Sequence, residues 1–118
     1  MIRHEAIAQL SRDHHQALLQ AMRLKRATDE TSDEVARAFV DFFDNECQHH
    51  FEVEEQVLLP LYCAWLGIEL AVEPIVVQVV REHVELRSMV ELLRAEPGNT
   101  QLVRETGVTI LVVTHDLG

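Results

Sequence analysis

Apolar positions recur along this chain at alternating steps of three and four, the spacing that gathers side chains on one face of an α-helix. From about residue 3 to 27 the inward set is Ile7, Leu10, His14, Ala17, Ala21 and Leu24. A polar break, Thr28-Asp29-Glu30-Thr31-Ser32-Asp33, interrupts the pattern and supplies N-cap residues, with Thr31 and Glu34 spaced as a capping box. A second helix is predicted from near Asp33, with Phe43, Cys47, His50, Glu54, Val57 and Leu61 on its seam. Pro60, which lacks a backbone donor, should kink or end the regular helix. Gly67 is the natural stop after Trp65.

A third helix is predicted from around Val72, with Pro74 in its first turn and Val76, Val79, His83, Leu86, Val90 and Leu93 inward. Pro97-Gly98-Asn99-Thr100 marks a turn. Beyond it Thr106, Val108, Thr109, Ile110, Val112, Val113 and Thr114 lower helix propensity, because branching at Cβ restricts the side chain against the preceding turn. A lone strand would have nothing to pair with, so packing is expected to impose a fourth helix. These segments predict an all-α, up-down-up-down four-helix bundle with a short or incomplete fourth helix, one domain over residues 1–118.

Composition narrows the function. With 47% apolar residues the chain can bury a single core. Ten basic residues against 20 acidic ones give a formal net charge of -10, which repels phosphate backbones and argues against nucleic acid as a partner. A bound metal ion would offset part of that excess. The N-terminus carries no apolar signal core, and no run reaches the roughly 18 apolar residues of a membrane span. A cytoplasmic protein without a membrane partner is expected. Cys47 and Cys63 have no metal-binding spacing and read as reduced thiols, with a disulfide left open.

The seams themselves carry the chemistry. His50 and Glu54 are one turn apart on one face, and His14 and His83 occupy inward positions near the middle of two other helices. A single seam histidine is most often a satisfied core residue, and one histidine–carboxylate pair is most often a solvated, salt-linked face. Three seams repeating the pattern are harder to explain that way, since polar groups in an apolar core are costly unless something binds them. In a bundle such positions converge in one layer, and imidazole with carboxylate suits iron, manganese or zinc. Among the neighbours, Cys47 reads as core filler and Glu55 as a surface group or one that orients a histidine. Phe39, Phe43, Tyr62 and Trp65 read as core or helix-end packing, Arg81 and Arg87 as solvated, and His4 as an exposed helix-end residue.

In order along the chain, these residues resemble the hemerythrin-like HHE family of non-haem diiron four-helix bundles. Asp13-His14-His15 is similar to its first-helix motif. His50-xxx-Glu54-Glu55-xx-Leu58-Leu59-Pro60 is similar to its HxxxEExxLFP signature, with Leu59 in place of Phe, and this is the specific part of the match. Glu82-His83 resembles the third-helix motif, and His115 has the spacing of the fourth-helix histidine. The resemblance implies His14, His50, His83 and His115 as terminal ligands and Glu54 as a carboxylate bridging two irons. His15 is the alternative to His14, on a weaker stripe with Leu18 and Met22.

Two departures shape the expectation. The position of a second third-helix histidine is Arg87, which is closer to the four-histidine variants linked to sensing or stress. The second bridging carboxylate would fall one place past Gly118, so weaker iron binding or a single metal is expected of the chain as it stands. The implied function is binding or sensing of dioxygen, peroxide or nitric oxide by non-haem iron, and not turnover of a substrate. The competing expectation is an interaction bundle with a vestigial site. A homodimer is expected if the short fourth helix leaves apolar surface exposed.

Overall fold

The computed structural model describes residues 4–70 and 73–117, and the side chains of 15–70, 73, 74 and 76–112. Helix α1 spans His4–Lys25. Residues 32–66 form one long rod assembled from α2 (Ser32–Phe42), a π-helical turn π1 (Phe43–Cys47), α3 (Gln48–Val53), a second such turn π2 (Glu54–Leu58) and α4 (Leu59–Leu66). Helix α5 spans Pro74–Ala95 and α6 spans Thr100–Leu117, 18 residues against 22 each for α1 and α5. There is no strand among the described residues.

The helices form a closed ring of contacts: α1 on α2, α2 on α5, α5 on α6 and α6 on α1. The core lies where loops 26–31 and 96–99 come together, built from Ala21 and Leu24 of α1, Ala36, Phe39, Val40, Phe43 and Cys47 of the rod, Val90 and Leu93 of α5, and Val103 and Ile110 of α6. Ser32 is fully buried there, and its hydroxyl donates to the Pro97 carbonyl at 2.8 Å, latching the two loops. Gly107 lets α6 approach α1 closely: a Cβ at that position would sit 2.4 Å from the Lys25 nitrogen and 2.7 Å from the Ala21 carbonyl oxygen.

The segment with poor helix propensity is helical. Asn99 caps it, accepting from the Leu102 N–H at 3.1 Å. Thr106 and Thr109 return their hydroxyl protons to the carbonyls of Leu102 and Glu105, so neither of these two hydroxyls is left unsatisfied in the helix. Gly67 ends the rod in the left-handed conformation at φ 69°, with Gly67 N–H bonding Ala64 and Ile68 N–H bonding Cys63 in a Schellman arrangement. Pro74 opens α5.

Three expectations are corrected. The Thr31–Glu34 capping box does not form; Thr31 Oγ1 instead accepts from the Thr28 N–H at 2.9 Å. Pro60 does not end the rod. The wide turn before it bonds Leu59 N–H to Glu54 five residues back, which places Pro60 in the first turn of a fresh α-segment, where a missing donor is tolerated.

The third correction concerns the seam. Each π turn takes in one extra residue, so the inward positions advance by one number after π1 and by another after π2. Phe51 thus joins the core after π1, and Cys63 is buried after π2. Val57 and Leu61, expected inside, are 47% and 52% exposed, while Tyr62 is exposed and Trp65 is 85% exposed.

Candidate metal centre

The site lies beyond the core, where α3 and π2 face the middle of α5. His50 projects from α3, Glu54 and Glu55 from π2, and His83 from α5. Because the register slips at the wide turns, the faces carrying residues 50 and 54 and residues 51 and 55 all turn inward. His83 is buried, and His50, Glu54 and Glu55 are partly buried.

His50 Nε2 lies 2.5 Å from Glu54 Oε1, and His83 Nε2 lies 3.9 Å from that same oxygen. On its other nitrogen His83 is fixed: Nδ1–H donates to Glu55 Oε2 at 2.8 Å. Nε2 is then the ring nitrogen turned toward Glu54. The His83 ring also stacks on Phe51, with centroids 3.8 Å apart and planes within 10°.

Glu55 is held in turn by Arg87, whose Nη2 donates to both carboxylate oxygens at 3.2 Å while Nε donates to Gln48 Oε1 at 3.2 Å. The guanidinium carbon lies 5.4 Å from the Phe51 centroid. Burial pushes the Glu55 carboxyl up, but the hydrogen bonds from His83 and Arg87 and the charge of Arg87 outweigh it. Its pKa falls below the usual carboxylate range. Arg87 is therefore not the solvated residue the sequence suggests.

The donors suit a cation of the iron, manganese or zinc type. His83 Nε2 and Glu54 Oε1 are two electron-pair donors facing across 3.9 Å, a gap that two metal–ligand bonds of about 2.1 Å can span. Among the described residues, however, no group of three or more His, Cys, Asp or Glu side chains is gathered into a cage. Glu54 Oε1 is also held by His50, a contact that a cation bound at this oxygen would have to displace.

The side chains of His14 and His115 lie outside the described residues. Their backbones belong to α1 and α6, the two helices that complete the ring. His15 is exposed. Cys47 and Cys63 are both buried and are not joined in a disulfide. Phe51, Gln48 and Arg87 are the contributors that sequence reasoning missed. Phe51 is hidden by the π1 slip. Arg87 carries one signal, a position one turn after His83 on the same face.

Among the described residues no helix is long and apolar enough to cross a membrane. No curated protein and no solved structure matches the chain. The model of the hemerythrin HHE cation-binding domain matches residues 5–109, which takes in both histidine-bearing elements of the site and nearly all of the bundle. The chain belongs to the hemerythrin HHE cation-binding domain family.

Proposed function

We propose that this chain is an up-down-up-down bundle that holds non-haem iron between its helices and uses it to bind or sense dioxygen, peroxide or nitric oxide. The observation that carries this reading is the meeting of His50 and His83 on one oxygen of Glu54, from two separate helices. His50, Glu54 and His83 would hold the metal, joined from α1 and α6 by His14 and His115. Iron bound there supplies open coordination positions for the small ligand.

The chain's own residues prepare those positions. Glu55 pairs with Nδ1 of His83, which leaves Nε2 as the nitrogen presented toward Glu54. Phe51 covers the His83 ring and limits water on that side. His50 and Glu54 already lie in contact, so the two would need little rearrangement to serve one ion. Sensing or protective binding is the use proposed for the site, the residues described around it being ones that hold and orient a ligand. The compartment proposed is the cytoplasm.

Anaerobic loading with Fe2+ followed by nitric oxide or air tests this reading. New charge-transfer absorption that is lost in His50→Ala supports it; an unchanged spectrum with both ligands contradicts it. A second reading, an interaction bundle, is favoured by the exposure of Val57, Leu61 and Trp65 at four-residue intervals on the rod. Self-association in light scattering without metal uptake would select that reading, with a homodimer as its simplest form.

A further inference from the structure

Arg87 stands one turn after His83 on α5 and reaches across to the rod, where it meets three groups. Two of its nitrogens bond Glu55 and Gln48, and its guanidinium lies over Phe51. Glu55 and Phe51 are also the groups that touch the His83 ring, one at its Nδ1 edge and the other on its face. Arg87 thus contacts both supports of His83 while standing a full helical turn away from the ring itself.

We infer that Arg87 is a positioning residue: it clamps Glu55 and Phe51 so that His83 keeps its proton on Nδ1 and presents Nε2 toward Glu54. The inference rests on the metal-site reading given above, and assigns to Arg87 a role in ligand geometry beyond that reading. Glu55 has two oxygens. With Nη2 shared between them, the carboxylate plane is fixed and Oε2 is aimed at His83. Without the guanidinium, Glu55 is free to turn to solvent or toward the Glu54 side. His83 would then lose the acceptor that selects its tautomer, and the neutral ring could carry its proton on Nε2, blocking the atom that faces Glu54. A lysine at this position keeps the charge but not the fork that engages Glu55 and Gln48 together.

The metal-free chain decides the first half of the inference. Imidazole 15N NMR of the apo protein, at a pH where the ring is neutral, is expected to show His83 as the Nδ1–H tautomer. Arg87→Gln should shift it toward Nε2–H, Gln48→Ala should shift it less, and Arg87→Lys should fall between wild type and Arg87→Gln. The second half is read with Co2+ alone: Arg87→Gln should weaken binding by about tenfold, within the range for loss of a group that orients a ligand. A wild-type His83 in the Nε2–H form, or an Arg87→Gln variant with unchanged tautomer and Co2+ affinity, overturns the proposal. Failure of the wild-type chain to bind Co2+ would instead sink the metal-site reading, and the apo tautomers would still decide whether Arg87 positions His83.

Discussion

Phe51 and His83 lie face to face, with ring centroids 3.8 Å apart and planes within 10° of parallel. The contact joins α3 to α5 and exists because π1 turns residue 51 inward, where an uninterrupted helix would present residue 50 alone. Phe51 also meets Phe43 edge-on at 5.8 Å, so the site's wall is continuous with the core. Phe51→Ala should cost about 2 kcal/mol in urea denaturation, less than a fully buried phenylalanine because this one is only partly enclosed. Phe51→Leu should recover most of that stability but not the order of the His83 ring, visible as broadened His83 resonances.

The wide turns make a prediction about chain length. A π turn absorbs one residue without rotating the helix downstream of it, so deleting Asn45, an exposed residue of π1, should close the turn into ordinary α-helix and leave Phe51 and Glu55 facing inward. Deleting Glu52, an exposed residue of α3 that lies after π1 and before π2, should rotate Glu54 and Glu55 by about 100° relative to His50. Circular dichroism and a Co2+ titration should show the Asn45 deletion folded and competent, and the Glu52 deletion badly destabilised. Equal damage from both would contradict the register argument.

Those turns also mark where the sequence stops being legible. The four helical stretches, the stop at Gly67, the start at Pro74 and the turn at 97–100 arise from local chemistry, and the structure carries each of them. Local chemistry likewise singles out His50, Glu54 and His83, which the structure brings together. Nothing in Phe43-Asp44-Asn45-Glu46-Cys47 announces a π turn, because its extra residue is forced by packing along the rod and not by any residue preference. A strict α period therefore assigns Val57 and Leu61 to the core and overlooks Phe51. The reach of Arg87 to Glu55 and Gln48 is hidden for a related reason, since it depends on how closely α5 crosses the rod.

Gly107 should tolerate no side chain. A Cβ would meet the backbone of α1 at Lys25 and Ala21, and neither atom belongs to a flexible group that could move aside. Gly107→Ala, which raises helix propensity, should nevertheless destabilise the chain by about 2 to 3 kcal/mol through overpacking. A thermal melt settles the sign: a higher midpoint in Gly107→Ala would mean that α1 and α6 do not approach as described.

Acid should weaken the clamp between α5 and π1. Arg94 donates to both oxygens of Asp44 at 2.9 Å, and these hydrogen bonds, opposed by slight burial and aided by the guanidinium charge, hold the Asp44 carboxyl below its ordinary range. A lowered pKa in the folded state means the contribution is complete above the ordinary aspartate range and is lost as pH falls through the lowered value. Both side chains are well exposed, so the effect is small. Denaturation midpoints measured from pH 5 to pH 2 should fall less steeply in Asp44→Asn than in wild type; parallel curves would show that the pair contributes nothing.

The central claim is that His50, Glu54 and His83 together hold a metal ion. Iron content of the purified chain after anaerobic Fe2+ loading and desalting, compared across wild type, His50→Ala, Glu54→Ala and His83→Ala, tests it most directly. Retained iron in wild type that falls by tenfold or more in each variant, with helicity preserved, is the result predicted. Iron absent from wild type, or retained equally by all four proteins, would contradict it.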